Sequence, residues 1–466
     1  MYTRQIVTPT VIRWRCVKRA YHCKGTMITQ FDMSAPRAAN DHNHSPDFAA
    51  IECAKCIDKM KRKAADTEDK PNQIYSTSLR ELPSEAKRLL PCEEVIKRTL
   101  RNQKAKIYPP IPERLEDLQL TGEWITTDGI EPKPFMFYDN GPNACNRIIA
   151  FGSEESLRLL SSADTWFMDG NFSMCPRGFS QLYVIRAPIG TTAVSTVFAC
   201  MQNMSRVAYE TLLQAVIDRC HQIGMNPEPA TIVVDFEQAV IQAIKNVFGS
   251  ETRTQGCFYH LTQSTWRKIQ NLGLAQQYKD NDDFREFCGQ IDSLAFLPVG
   301  DVPAGMQLLK TRCPQQAAPL LKYFDEIYVS GTFVQLRQRN SQSDAAAENL
   351  GHVPPRFPPE IWNVHVATIN DCPRTNNFCE GWNNKFCHLV GHQHPSIWKL
   401  IKMLQKEESA VSAVILRDLI GEPPVKKVKK IYVRLQQRLK NLCIDYNEGR
   451  KNMDEVLRGL GHNIRY

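Results

Sequence analysis

The 466-residue chain predicts a mixed α/β fold: a mixed sheet flanked by helices, followed by a long helical stretch and preceded by a small Cys/His segment and a helical linker. Three observations carry this. From Thr165 to Tyr259, apolar runs and amphipathic stretches follow the order strand, strand, strand, helix, strand, helix, strand. Two of those strands, Thr165–Asp169 and the run starting at Thr231, deliver a carboxylate where they stop, at Asp169 and Asp235. A helical stretch of about a hundred residues then separates the last strand from a third acidic segment around Glu380.

Composition sets the bounds. A hydrophobic content of 42% and a charged content of 23% are ordinary for a globular chain of two to four domains. The net charge of +8 is uneven: residues 1–111 hold 21 Lys/Arg against 12 Asp/Glu, and the rest is close to neutral. A basic front end points to a polyanion, most simply nucleic acid, with a solvated linker as the alternative. The first ten residues offer no apolar signal core, and the best apolar stretch, Leu182 to Met201, is broken by Arg186 and Pro188. A soluble, non-membrane protein follows, in a reducing compartment with its 16 cysteines free or on zinc.

In chain order, residues 1–47 hold Cys16, Cys23, His42 and His44. Two thiolates followed by two imidazoles supply the four ligands of a tetrahedral Zn²⁺, on which so short a segment would depend to fold, with coincidence in a Cys-rich chain as the alternative. Residues 48–112 read as a basic helical linker cut by prolines, with Lys59, Lys61, Arg62 and Lys63 as its densest cluster. That cluster suits nuclear import, phosphate contact or a plain solvated face.

Residues 113–265 carry the first part of the core. Strands are expected at Phe135–Tyr138, Ile148–Phe151, Thr165–Asp169, Gln181–Ala187, Val194–Met201, Thr231–Val234 and Thr252–Tyr259. Helices fall at Glu154–Leu160, around Tyr209 to Cys220, and around Val240 to Val247. Residues 266–372 read as the helical insertion, with an exposed polar loop from Arg337 to Pro359. Residues 373–420 return to the core with a helix from Pro395 through Leu416. Residues 421–466 form a basic tail with the cluster Lys426, Lys427, Lys429 and Lys430, then one amphipathic helix bearing Ile431, Leu435, Leu439 and Leu442.

Phosphodiester cleavage at neutral pH needs an activated oxygen and a stabilised leaving alkoxide, and two Mg²⁺ held by carboxylates supply both. Adjacent strand ends bring two carboxylates together, and a helix packed on the sheet brings a third. Asp169, Asp235 and Glu380 fit those places. Each has a plainer alternative: Asp169-Gly170 as a hairpin turn, Asp235 with Gln238 as a capping box, and Glu380 as a first-turn glutamate. Cys257 and His260 supply half a zinc site that His392 and His394 complete, with packing at a strand-to-helix junction as the alternative. Trp166, Trp266, Trp382 and Trp398 suit base stacking or, more simply, the core.

The strand order is that of RNase H-like nucleases and transposases. Asp169-Gly-Asn-Phe, the strand ending in Asp235-Phe-Glu, Cys257-Phe-Tyr-His260 and Thr375-Asn-Asn-Phe-Cys-Glu380-Gly-Trp-Asn together resemble the ordered signature of Mutator-like (MULE) transposases, over roughly Ala163 to Trp398. The Cys/His segment resembles FLYWCH-type zinc fingers, but the upstream aromatic strands of such a finger are not recognisable in Met1 to Ile12, so a partial finger is expected. The resemblance implies Asp169, Asp235 and Glu380 as a DDE triad binding two Mg²⁺, and an inserted helical domain that helps hold DNA. It also implies a nuclear, homo-oligomeric protein acting on double-stranded DNA, both terminal inverted repeats and target. A domesticated DNA-binding protein on the same fold is the rival, and an RNA-directed or repair nuclease a third.

Overall fold

The computed structural model describes residues 1–67, 69–335 and 350–465. The chain divides into two compact units, Met1–Pro110 and Ile111–Tyr466.

The first unit opens with a four-stranded antiparallel meander, β1 (Tyr2–Val7), β2 (Val11–Cys16), β3 (Thr26–Gln30) and β4 (Arg37–Asn40). The segment expected to lack strands therefore contributes β1. Its side chains are largely exposed and show no apolar alternation. Pairing with β2 from Tyr2–Cys16 to Val7–Ile12 holds it, along with Arg4 stacked 5.5 Å over the Trp14 ring. Four helices follow: α1 (Phe48–Asp66), α2 (Pro71–Arg80), α3 (Ser84–Lys87) and α4 (Glu93–Ala105). Asp47 caps α1 by accepting the Ala50 N–H. Cys53, Cys56, Met60, Ile74, Leu82, Ile96 and Leu100 bury one another, so the expected linker is a small bundle with its own core.

The second unit is built on a seven-stranded mixed sheet. Its strands are β5 (Met136–Asp139), β6 (Ile148–Phe151), β7 (Thr165–Asn171), β8 (Gln181–Ile189), β9 (Thr192–Met201), β10 (Thr231–Val234) and β11 (Arg253–Gly256), in the spatial order β11-β10-β7-β8-β9-β6-β5. β10 runs parallel to both β11 and β7, and the other neighbours pair antiparallel. Helices α5 (Glu154–Ser161), α6 (Arg206–Gln222) and α7 (Gln238–Phe248) cover one face. There Trp166, Met168, Ile232 and Val234 meet Leu212, Val216, Val240 and Ile244. The other face of β7 and β10 is buried too, by Phe167 and Val233 against Cys257 and Cys379, which is why both strands read as unbroken apolar runs.

The fifth expected core strand stops at Gly256, three residues early. Gly256 lies against the Phe236 ring, where an added Cβ would come within 2.7 Å. Helix α8 (Phe258–Asn271) starts at once, its Phe258 N–H taken by the Arg374 carbonyl. After it come α9 (Ala275–Asp280), α10 (Asp282–Ser293), α11 (Val302–Thr311), α12 (Ala318–Phe324), the hairpin β12 (Thr332–Gln335) and β13 (Leu350–Val353), α13 (Pro359–Trp362) and α14 (His365–Ile369). Of the expected loop from Arg337 to Pro359, residues 337–349 lie outside the described residues. The remainder includes β13, paired antiparallel with β12, and a buried Phe357.

The chain returns to the sheet with α15 (Asn377–Val390) and α16 (Ile397–Leu419), the latter capped by Ser396. The last segment is not a tail. It forms two helices, α17 (Lys430–Asn447) and α18 (Met453–Arg465), whose Leu439, Cys443, Val456, Leu457 and Leu460 join the core of the helical insertion. Gly461 of α18 approaches the α10 backbone so closely that a Cβ would lie 2.9 Å from the Gln290 nitrogen. Trp166, Trp382 and Trp398 are buried and Trp266 packs half-buried on the helical core, so all four serve packing. No described helix is long and apolar enough to cross a membrane.

Candidate functional site

Strand alternation decides which way the acids point. In β7, Trp166 and Met168 face α6 and α7, so Phe167 and Asp169 face the other side. In β10, Ile232 and Val234 face the helices, which sends Val233, and Asp235 one step past the strand, to the same side as Phe167. The parallel register sets Val233 opposite Phe167, and two residues further on it brings Asp235 level with Asp169.

Helix α15 covers that face and is tied down by Asn376, the residue before its first turn. The Asn376 side-chain amide donates to the Met168 carbonyl (2.9 Å), and its N–H donates to the buried Cys257 sulfur (3.1 Å). Phe378 packs edge-on to Phe167 at 5.4 Å. Asn383 then donates to Asp169 Oδ2 (2.8 Å) and accepts from Asn171 (2.9 Å). Glu380 sits between these anchors, four residues after Asn376 and three before Asn383, and so shares their helix face. The first-turn position foreseen for Glu380 is correct, yet the face it shares belongs to Asp169.

The electrostatics report the convergence. Burial, then the facing Asp235 charge, raises the Asp169 carboxyl to about 7; the Asn383 hydrogen bond opposes this and Glu380 adds to it. Burial also raises Asp235, with His260 acting against the rise, and burial raises Glu380. Glu237, half-buried beside Asp235, is raised by burial and accepts from the Tyr209 hydroxyl at 2.8 Å, which in turn accepts from Gln181 at 2.8 Å. The capping-box alternative for Asp235 does not hold: Glu237 occupies the cap position of α7, and Gln238 donates instead to the Arg356 carbonyl. Acids held in this costly state, with hard oxygen donors on three elements, fit a divalent cation such as Mg²⁺, which would favour the charged forms.

Sequence reasoning missed Glu237, Tyr209, Asn376 and Asn383. For the two asparagines, spacing of four and three residues around Glu380 on one helix was the available signal.

The second expected zinc site is not assembled. Cys257 is buried and accepts from the Asn376 N–H, while His260, one turn into α8, lies beside Asp235 with its Nδ1 buried and unpartnered. His392 is exposed, and His394 turns to Cys175, 3.9 Å from its sulfur. The Cys-x-x-His pair is split by the strand-to-helix junction.

In the first unit, Cys16, Cys23, His42 and His44 do come together. Cys16 Sγ lies 3.3 Å from His44 Nε2, Cys23 Sγ 3.3 Å from His42 Nδ1, and the two ring nitrogens 3.2 Å apart. Four ligands around one tetrahedral ion at 2.0–2.3 Å stand roughly 3.3–3.8 Å apart, so the spacing fits Zn²⁺. The free ring nitrogens are anchored, His42 Nε2 by the Tyr2 hydroxyl (2.7 Å) and His44 Nδ1 by the Ser45 carbonyl (2.9 Å). Gly25 is required here, since a Cβ would meet the His42 ring at 2.7 Å. Burial alone would raise the Cys23 thiol. Donation from the Gly25 and Asn43 backbone and from Cys16 and His42 outweighs it and brings the thiol to about 6. Among the described residues this is the one group of three or more Cys, His, Asp or Glu with ligand atoms all within 4.8 Å; Asp169, Asp235 and Glu380 do not all approach one another that closely.

The basic clusters are at the surface. Lys59 pairs with Glu81 and Arg62 with Asp58 (2.6 Å), while Lys61 and Lys63 are half-exposed. Such exposed pairs contribute little to stability, so these cations stay available to a polyanion. Lys426, Lys427, Lys429 and Lys430 are exposed, and Lys426 is held by its N–H on Thr191 Oγ1 at 2.7 Å.

Residues 165–264 match the MULE transposase domain family. The match runs from β7 into α8, takes in Asp169, Asp235, Cys257 and His260, and ends before Glu380. No curated protein matches the chain. The matched segment marks this region as transposase-related and DNA as the partner class that follows from it.

Proposed function

We propose that the chain is a DDE-type DNA transposase, or a protein descended from one, that binds DNA ends and carries out Mg²⁺-dependent phosphodiester hydrolysis and strand transfer on an RNase H-like core. The observation that supports this most is the meeting of Asp169, Asp235 and Glu380 on one face of the sheet, with Asp169 pushed to about 7. Bound there, two Mg²⁺ would activate the attacking oxygen and stabilise the leaving one. Carboxylate separations beyond 4.8 Å are compatible with this, because ions ~4 Å apart, each bound at ~2.1 Å, span ligands up to roughly 8 Å apart. The chain's own residues have defined tasks. Asn383 orients Asp169, Asn376 fixes the helix that carries Glu380, and Tyr209 orients Glu237.

The amino-terminal sheet is a zinc finger of the FLYWCH type, its Zn²⁺ held by Cys16, Cys23, His42 and His44. Arg15, Arg19 and Lys24 line a cleft beside Cys23 on this sheet and supply phosphate contacts. The protein works in the nucleus as a homo-oligomer on terminal inverted repeats and target DNA.

The test is cleavage of labelled duplex DNA bearing candidate terminal repeats, with and without Mg²⁺, beside Asp235→Asn. Mg²⁺-dependent product from the wild type and none from the variant is expected. Equal inactivity of both, with DNA binding retained, would make the chain a domesticated DNA-binding protein.

A further inference from the structure

On the side of α15 away from Asp169 lies a cavity of about 380 Å³, walled by the β8–β9 hairpin, α15, α16 and the extended segment at Lys426. Its floor holds Arg186, only 5% exposed. Two of the guanidinium nitrogens are committed: Nη1 donates to Ser195 Oγ (2.9 Å) and Nη2 to the Ala193 carbonyl. Nε is buried and has no partner. The guanidinium carbon also lies 5.9 Å from the centre of the Trp382 ring, so one ring and two hydrogen bonds hold the charge at the cavity floor while Nε keeps an unmet demand for an acceptor.

The surrounding charges favour an anion. Glu407 lines the same cavity, but Trp382 Nε1 (2.9 Å) and Lys385 Nζ (3.2 Å) occupy its carboxylate. That leaves Arg186 below and the exposed Lys426 at the mouth, with its ammonium 5.9 Å over Phe378. The first turn of the 14-residue α15 opens here at Asn377, adding the positive end of a helix dipole. Gly381 faces the opening, and a Cβ there would meet nothing within 4 Å.

We propose that this cavity is a phosphate-binding subsite that takes a backbone phosphodiester of the DNA strand engaged at the neighbouring carboxylates, with the Lys426 ammonium at its mouth as donor and the Arg186 charge beneath it. It rests on the nuclease reading for the identity of the ligand, not for the anion chemistry. One helix, α15, would then hold the reacting phosphate on its Glu380 face and a second phosphate on its Gly381 face, which fixes the strand in register.

The experiment uses the full chain. Melting temperature is followed in inorganic phosphate and in chloride of equal ionic strength, and affinity for duplex DNA is followed against salt. Gly381→Leu fills the mouth from a helix position with open space, and Lys426→Ala removes a surface charge, so neither threatens the fold. Wild type should gain a few degrees in phosphate over chloride. Gly381→Leu should lose that gain and about tenfold in DNA affinity, and Lys426→Ala should lower the salt slope by about one. Equal melting in the two anions, or Gly381→Leu that binds phosphate like wild type, overturns the subsite. A phosphate effect blocked by Gly381→Leu with DNA affinity unchanged overturns the assignment to the DNA backbone. Mg²⁺-dependent cleavage absent while these binding results hold would sink the nuclease reading and leave the anion site standing.

Discussion

The two candidate metal centres differ in how complete they are without a metal. In the amino-terminal sheet, two sulfurs and two ring nitrogens already sit within 4.8 Å of one another, and one thiol is drawn down to about 6. On the large sheet, Asp169 feels the charges of Asp235 and Glu380, and burial holds the protons of all three carboxyls more tightly than usual. The first arrangement suits an ion that is part of the fold: four ligands, each backed by a hydrogen bond, with no position left open. The second suits ions that arrive with substrate, since open coordination and repelling charges are what a catalytic site keeps. A closed site trades reactivity for stability, and an open one does the reverse.

Four outcomes would break or sharpen that contrast, beginning with the largest. Glu380→Gln should lower Mg²⁺-dependent cleavage by roughly 10³-fold or more while leaving DNA affinity within about twofold, because the ion ligand and not the fold is lost. Gel-based cleavage beside a binding titration reads both. Cys23→Ser, or a strong zinc chelator, should unfold the β1–β4 sheet, a loss of several kcal/mol, and leave the second unit folded. Limited proteolysis with mass spectrometry distinguishes the two units. Uniform protection would refute a structural ion.

The third outcome concerns pH. Asp169 has a folded-state pKa of about 7, above its unfolded value of ~3.9. The folded state therefore binds more protons between those values, so stability of the metal-free protein should fall as pH rises from about 4 to about 7. Asp169→Asn should flatten that fall and raise the melting temperature at pH 8, and Mg²⁺ should stabilise wild type more at pH 8 than at pH 5. A melting profile in the chelated protein that is identical for wild type and Asp169→Asn would contradict the crowded-carboxylate picture. The smallest effect is at Asn383. Asn383→Ala should weaken Mg²⁺ activation by about 10- to 100-fold, visible as a shifted metal titration with an unchanged fold.

Much of this was legible in the sequence, for stated reasons. The apolar runs ending at Asp169 and Asp235 marked two buried strands that each deliver a carboxylate, but with Phe167 and Val233 buried on one face and Trp166, Met168, Ile232 and Val234 on the other, the runs alone did not say which face the acids take. Glu380 was legible only as part of a residue pattern; its approach to Asp169 depends on Asn376 and Asn383, whose partners are over 200 residues away. The Cys/His cluster was legible from the types and order of its residues, whereas β1 was not, since a strand held by backbone pairing carries little side-chain signal. The Cys257–His260 pair misled for a physical reason. The residues look like two ligands of one ion, but the junction buries one against α15 and turns the other to Asp235. The closing helices misled too. Ile431, counted on the buried face of α17, is 69% exposed, and α18, which does the deeper packing through Leu457 and Leu460, was not anticipated.

The central claim is that Asp169, Asp235 and Glu380 surround common ions. Loading the protein with Fe²⁺ in place of Mg²⁺ and adding ascorbate and peroxide generates short-lived radicals that cut the backbone next to the metal. Three groups of cuts are predicted, near residues 169, 235 and 380, all suppressed by excess Mg²⁺ and all lost together in Asp169→Asn. Cuts near 169 and 235 without any near 380, or cuts that Mg²⁺ does not suppress, would contradict it.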